Sequence, residues 1–242
     1  MIKKPLISIV TATLNSEKQI GDLIGDLERQ TFRDFEWVIA DGLSSDRTVE
    51  LLRAARGIDM KIDQARDFGV YDALNRGLRM TSGEYYLVIG SDDRLDHDAL
   101  ANYAAAVQES QADIISSQVR INGRTVARKR NHAWFWGIRS CVSSHSIGAL
   151  IRTSLHDKHG YYSRRFPICA DQLFLMQARN GGARIHDSDF VAGEFFLTGL
   201  TGNDPAGMIC ESYRVNIAAG HDRLLQMALL LLRLVKNFRS IR

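Results

Sequence analysis

The chain has 242 residues, 31 basic against 28 acidic groups for a formal net charge of +3, and 45% hydrophobic content, enough to bury one substantial core. Only 3 prolines, 19 glycines and no low-complexity tract exclude collagen-like, linker and disordered architectures, because a chain this apolar offsets its ordering entropy. The near-balanced charge excludes a global field for gripping nucleic acid, so anion binding must be local, and the scattered Cys141, Cys169 and Cys210 supply neither a disulfide framework nor a cysteine zinc site.

Residues 6–12 form a β-rich run ending in Thr13-Leu14-Asn15-Ser16, and Ser16 with Gln19 has the spacing of a capping box. Ile20, Leu23, Ile24 and Leu27 then share one helical face. Residues 35–40 read as the next strand, followed by Asp41-Gly42-Leu43-Ser44-Ser45-Asp46 and a helical run through Val49, Leu52 and Ala55. A short strand at 60–63, a helix over 71–80, an apolar strand at 85–89, the polar knot Ser91-Asp92-Asp93 and a helix carrying Leu100, Tyr103, Ala104 and Val107 continue the alternation. Strands separated by helices predict right-handed crossovers and a doubly wound, Rossmann-like α/β sheet in the first half. Such sheets bind ligands beyond the carboxyl ends of their strands. The segments with Thr11, Thr13 and Asn15, with Asp41, and with Asp92-Asp93 all fall at that edge.

Beyond Asp113 the regularity loosens. A strand at 114–121, a turn at Asn122-Gly123 and a basic segment at 124–130 precede His132, Trp134 and Trp136. Residues 170–178 read as a short helix, 194–201 as strand and loop, and 208–219 and 222–238 as helices. The N-terminal stretch lacks the pattern of a secretory leader, and the longest apolar run, 227–232, is far below the roughly 20 residues that span a bilayer. A reducing, cytoplasmic setting is therefore expected.

Two adjacent carboxylates after a hydrophobic strand repel each other unless a cation or donor compensates them. Asp92-Asp93 therefore reads either as a magnesium or manganese site that leaves positions for substrate phosphates, or as a cap, through Asp93 or Asp96, for the next helix. Asp41-Gly42 reads either as a hydrogen-bond acceptor for a nucleobase or ribose, or as turn chemistry. No glycine-rich dinucleotide fingerprint and no Walker loop occur, so a bound phosphate calls for a metal rather than a glycine cradle. Trp134 and Trp136 are candidates for stacking on an acceptor sugar or for turning into the core.

Taken together, Ser8-Ile9-Val10-Thr11-Ala12-Thr13-Leu14-Asn15, Val38-Ile39-Ala40-Asp41-Gly42-Leu43-Ser44-Ser45-Asp46, Asp67-Phe68-Gly69-Val70-Tyr71-Asp72-Ala73-Leu74-Asn75 and Gly90-Ser91-Asp92-Asp93 resemble, in order and spacing, the motifs of the inverting GT-A fold glycosyltransferase family two. The resemblance implies a mixed sheet divided into a nucleotide-sugar-binding half (1–113), an acceptor-binding half (114–205) and a helical tail (206–242). It implies that Asp93 holds Mn2+ or Mg2+ on a nucleotide diphosphate and that Asp41 recognises the base. Thr11, Thr13, Asn15, Arg66, Asp72, Asn75 and Asp92 complete the expected donor site. Ser144-His145-Ser146 and Ala170-Asp171-Gln172-Leu173 are similar to second-half motifs of polysaccharide-building members, which makes Asp171 the expected catalytic base and places His145, with Trp134 and Trp136, on the acceptor side. Thr198-Gly199-Leu200-Thr201 resembles a donor-side loop of that family.

The implied activity is transfer of a sugar, UDP-linked by expectation, to a hydroxyl of a saccharide or lipid-linked saccharide in polysaccharide or glycolipid assembly. A sugar-nucleotide nucleotidyltransferase and a non-catalytic sugar-nucleotide-binding module are the alternatives. The former lacks its glycine-rich, arginine-containing loop at Thr11–Asn15, and the latter requires Asp171 to face away from the pocket. The tail carries Leu224, Leu225, Met227, Leu231 and Leu232 beside Arg223, Arg233 and Lys236, which suits either peripheral contact with the inner face of an anionic membrane or packing on protein.

Overall fold

The computed structural model describes residues 4–143, 146–196 and 204–238. The first half comprises β1 (Ile7–Thr13), α1 (Ile20–Glu28), β2 (Phe35–Asp41), α2 (Thr48–Ala54), β3 (Asp59–Gln64), α3 (Val70–Met80), β4 (Tyr85–Val88), β5 (Arg94–Leu95) and α4 (Ala99–Ser110). There follow β6 (Ile114–Ile121), β7 (Arg124–Val126), α5 (Ala133–Trp136), β8 (Ala149–Arg152), α6 (Leu155–His159), α7 (Ala170–Asn180), β9 (Ile185–Phe195), α8 (Pro205–Ala218) and α9 (Arg223–Lys236).

β1 pairs in parallel with both β2 and β4, and β2 with β3, as the β-α alternation predicts. β8 then lies antiparallel between β4 and β6, β9 runs parallel to β6, and β5 pairs antiparallel with β9. The result is one mixed sheet in the order β3-β2-β1-β4-β8-β6-β9-β5, with β7 forming a hairpin on β6.

Because successive strand residues face opposite sides, the sheet sorts its own apolar groups into two layers. Ile7, Ile9, Trp37, Ile39, Tyr85 and Leu87 pack with Leu23, Leu52 and Leu100 of α1, α2 and α4. Val10, Tyr86 and Val88 pack on the other face with Leu74 and Leu78 of α3 and Leu173 and Phe174 of α7. Both clusters take in residues from beyond position 113, such as Ile115 and Leu150 in the first and Ile114 and Ile151 in the second. The two halves of the sequence thus share one sheet and its two cores.

The structure departs from the sequence expectations at identifiable points. The strand expected to start at Glu194 starts instead at Ile185: β9 occupies Ile185–Phe195, and only its end was anticipated. His186, Asp187, Ser188 and Asp189 hide it from a hydrophobic-pattern reading, and Asp187 is retained there because it receives Arg128 and Arg130. The Ser16–Gln19 capping box does not form: the Ser16 carbonyl takes the amides of Gln19 and Ile20, while its hydroxyl accepts from Ser91 at 3.0 Å. Neither Asp93 nor Asp96 caps α4, whose N-cap is Asp98 without a side-chain bond; Asp96 pairs instead with Arg120.

β5 is short, yet it anchors the chain just after the aspartate pair. Buried Asp26 on α1 accepts from Arg94 Nε at 2.7 Å and from the Leu95 amide at 3.1 Å. On the other side β9 approaches so closely at Gly193 that an added Cβ would lie 2.0 Å from the Arg94 carbonyl oxygen. Gly193→Ala must therefore shift backbone, at a cost of about 1–3 kcal/mol. Thermal unfolding of the variant is expected to show a melting temperature lower by roughly 2–4 °C for each kcal/mol lost.

Candidate active site

The carboxyl end of β4 leads into Gly90-Ser91-Asp92-Asp93. Asp93 is 1% exposed, and its Oδ2 accepts from the Gly90 amide at 2.8 Å. A Cβ on Gly90 would sit 3.0 Å from both Asp92 Oδ1 and Asp93 Oδ2, so glycine is what lets the two carboxylates close over the strand end. Burial, helped by the neighbouring Asp92 and opposed by the Gly90 hydrogen bond, pushes the Asp93 carboxyl up to about 7. A dry carboxyl beside a second acid is stabilised by protonation or by a cation.

The ends of β1 and β2 form a second cluster. Thr13 Oγ1 donates to Asp41 Oδ2 at 3.0 Å, and Asp41 Oδ1 accepts from the Ser44 amide at 2.9 Å. Asp41 is fully buried, so its carboxylate braces its own loop in this structure. Asn15, at φ 51°, joins the two loops by accepting from the Ser45 amide at 2.9 Å. Thr11 lies beneath them, fully buried, and accepts from Trp37 Nε1 at 3.0 Å. Arg66 is exposed in the segment after β3.

Along α3, Asp72 is buried against the Arg164 guanidinium, and its Oδ2 accepts from the Phe68 amide at 3.2 Å. Asn75 is a clamp: its carboxamide donates to the Tyr162 carbonyl at 2.8 Å and accepts the Tyr162 amide at 3.0 Å. One helical turn earlier, the Tyr71 hydroxyl lies 2.6 Å from Asp171 Oδ1 and 2.9 Å from the Ile168 carbonyl. Burial and the facing Asp171 carboxylate hold the Tyr71 phenol well above its ordinary pKa, so it stays a donor. Asp171 occupies the first turn of α7, where the positive end of the helix dipole favours negative charge; the N-cap position itself is Cys169.

Asp92, Asp93, Asp171, Tyr71 and Trp136 all line one cavity of about 530 Å³, which also reaches Arg139, Arg233 and Asn237. Sequence reasoning thus assigned to separate motifs what the fold brings to a single space. Thr11, Thr13, Asn15, Arg66, Asp41, Asp72 and Asn75 do not line it. Trp134 does not either: it is 39% exposed, and its carbonyl accepts from Gln226 of α9. His145 and the 198–201 loop lie outside the described residues. Tyr71, Arg139 and Arg233 were missed. For Tyr71 a signal existed, since Tyr71 and Asn75 stand at i, i+4 and so share one face of α3.

A family model for glycosyl transferase family 2 matches residues 8–178, most of the chain. The chain belongs to glycosyl transferase family 2. A PGL/p-HBAD biosynthesis glycosyltransferase of Mycobacterium bovis (strain BCG / Pasteur 1173P2) is 34% identical over 190 residues, covering 75% of this chain and 72% of its own. The crystal structure of Staphylococcus aureus TarS 1-349 in complex with UDP superposes with a TM-score of 0.69 at 24% identity, over 98% of this chain and 72% of that one. Glucosyl-3-phosphoglycerate synthase from Mycobacterium tuberculosis, in complex with Mn2+, UDP and glucosyl-3-phosphoglycerate, gives 0.66 at 19% identity, over 90% and 81%. The mixed sheet is accordingly the GT-A fold, and the protein is a glycosyltransferase.

The residues of this family 2 member also fit a divalent cation. Among the described residues no cluster of three or more His, Cys, Asp and Glu could hold a metal alone, but two adjacent carboxylates facing a cavity suit an ion that takes its remaining oxygens from a diphosphate. The raised Asp93 carboxyl gives a sign that can be checked. Its folded value lies above the unfolded value of 3.8, so the stability it contributes is full below 3.8 and is lost as pH rises toward 7. Chemical denaturation of metal-free protein is expected to show wild type losing a few kcal/mol, as an order of magnitude, relative to Asp93→Asn between pH 4 and pH 8. Millimolar Mn2+ should restore that loss in wild type only.

Proposed function

We propose that this glycosyltransferase moves a sugar from a nucleotide diphosphate sugar, UDP-linked, to an acceptor hydroxyl with inversion, using a divalent cation at Asp92-Asp93. The observation that carries the reading is that this carboxylate pair, at the end of β4, and Asp171, at the start of α7, line one cavity. UDP in two of the similar solved structures, with Mn2+ in one, supports the donor and the ion. The first half, 1–113, holds the donor and the segment 114–205 presents the acceptor.

Asp171 accepts the proton of the attacking hydroxyl, and the Tyr71 hydrogen bond fixes the orientation of its carboxylate. Asp93 and Asp92 hold the cation, which when bound offsets charge growing on the departing diphosphate. Asp41, braced by Thr13 and Ser44, sets the shape of the loop that meets the nucleobase, with Asn15 beside it and the exposed Arg66 available to the phosphates. Asp72 and Asn75 serve the site through Arg164 and Tyr162, as positioning residues. The binding-module alternative required Asp171 to face away from the pocket, whereas Asp171 lines the cavity, and the nucleotidyltransferase alternative loses its basis with the family assignment. Asp171→Asn is expected to keep UDP-sugar affinity by calorimetry while kcat, followed as UDP release with Mn2+, falls by roughly 10²–10⁴-fold. Retained turnover would move the base to another group.

The acceptor side is proposed to sit at the inner face of a membrane. α9 is amphipathic in an inverted sense: Gln226 and Leu229 are buried and Arg233 and Asn237 face the cavity, while Leu224, Leu225, Met227, Leu231, Leu232 and Val235 are 39–78% exposed. Exposed Arg223 and Lys236 stand at its two ends, and no acidic residue lies between them. That combination is complementary to anionic lipid, at about 1 kcal/mol per basic residue near the surface. No helix among the described residues is long and apolar enough to cross a membrane. Sedimentation with phosphatidylglycerol vesicles at low salt should pull down wild type and leave the double variant Leu231→Glu, Leu232→Glu in solution. A wild type that ignores the vesicles and dimerises instead would assign the face to a second copy of the chain.

A further inference from the structure

One wall of the cavity is built from elements that the catalytic reading does not use. Trp136 ends α5, Arg139 follows it, and Arg233 arrives from α9. The Arg139 guanidinium lies over the Trp136 ring at 5.3 Å, and its Nε is buried without a hydrogen-bond partner. Arg233 donates to the Phe135 carbonyl at 2.7 Å. Among the described residues neither arginine makes an ion pair. Burial lowers the basicity of both. A half-buried guanidinium given no acid among the described residues is costly, and its planar fork matches phosphate or carboxylate.

The rest of the cavity is largely apolar, with Val70, Leu74, Ile121, Ile168, Met208 and Ile209 among its lining residues. A sugar or polyol alone would leave these groups in contact with hydroxyls and the arginines without a counter-charge. We propose that the acceptor is an amphiphilic anion: an apolar body bearing a phosphate or carboxylate that Arg139 and Arg233 receive, with its hydroxyl offered to Asp171. The proposal rests on the glycosyltransferase reading and deepens it by naming the acceptor class. The same two arginines could instead meet phosphate oxygens of the donor, so the test separates the two sources.

Octyl phosphate, octyl β-glucoside and UDP with Mn2+ would each be titrated calorimetrically into the purified protein, the two amphiphiles below their micellar concentrations. Octyl phosphate is expected to bind at least about tenfold more tightly than the neutral glucoside, and Arg139→Gln to weaken it by roughly 10- to 100-fold. The glucoside and UDP affinities should not change, and Arg139→Lys should recover part of the phosphate binding. Equal binding of the two amphiphiles, or indifference of octyl phosphate to Arg139→Gln, overturns the proposal. Lost UDP affinity in that variant, with octyl phosphate unaffected, would hand the arginine to the donor. If wild type binds neither UDP nor any UDP-sugar, it is the glycosyltransferase reading that fails.

Discussion

Two side chains of α3, one turn apart, hold the second half of the chain against the first. Asn75 makes a reciprocal pair of hydrogen bonds with the Tyr162 backbone, and the Tyr71 hydroxyl reaches Asp171. Behind them the Tyr86 and Tyr162 hydroxyls lie 3.1 Å apart, and buried His156 is 2.9 Å from Tyr86. Such a buried and satisfied polar network specifies one arrangement, because breaking any member strands another in low dielectric. The position of Asp171 relative to the carboxylates at the end of β4 depends on this seam. Since α3 itself packs on β1 and β2 through Leu74 and Leu78, the seam is referenced to the centre of the sheet.

The electrostatics of the cavity follow from what the chain leaves for its ligands to complete. Acids gather where the parallel strands end, and Asp93 is so far withdrawn from water that its carboxyl behaves as a weak acid. Arginines gather at the wall formed by α5 and α9. A donor that brings a cation to the first region and an acceptor that brings an anion to the second would each relieve a desolvation cost built into the folded protein. Specificity would then reside in charged groups that the fold has wholly or partly buried.

The tail gives this arrangement its orientation. By turning Gln226, Arg233 and Asn237 inward, α9 spends its polar residues on the cavity and on the carbonyls of Trp134 and Phe135, and leaves leucines outside. An amphipathic helix that serves only to cover a core shows the reverse pattern. α9 thus lines the cavity with one face and leaves an apolar surface exposed on the other.

Much of this was legible in the residues. The β-α alternation of the first half determined the parallel strands β1 to β4 and the edge where Asp41 and Asp92-Asp93 lie, because apolar periodicity is written by burial on a repeated unit. Ordered motifs likewise pointed to the family and to Asp171. The antiparallel strand β8 and the polar strand β9 were not legible: β8 is four residues long, and β9 owes its place to pairing with β6 and to the Arg128 and Arg130 contacts of Asp187 rather than to hydrophobic alternation. The tertiary structure alone decided that Tyr71 touches Asp171, 100 residues away, and that Arg139 and Arg233 share its cavity. Local sequence records which face of an element is buried, whereas contacts between distant segments are set by how those faces meet.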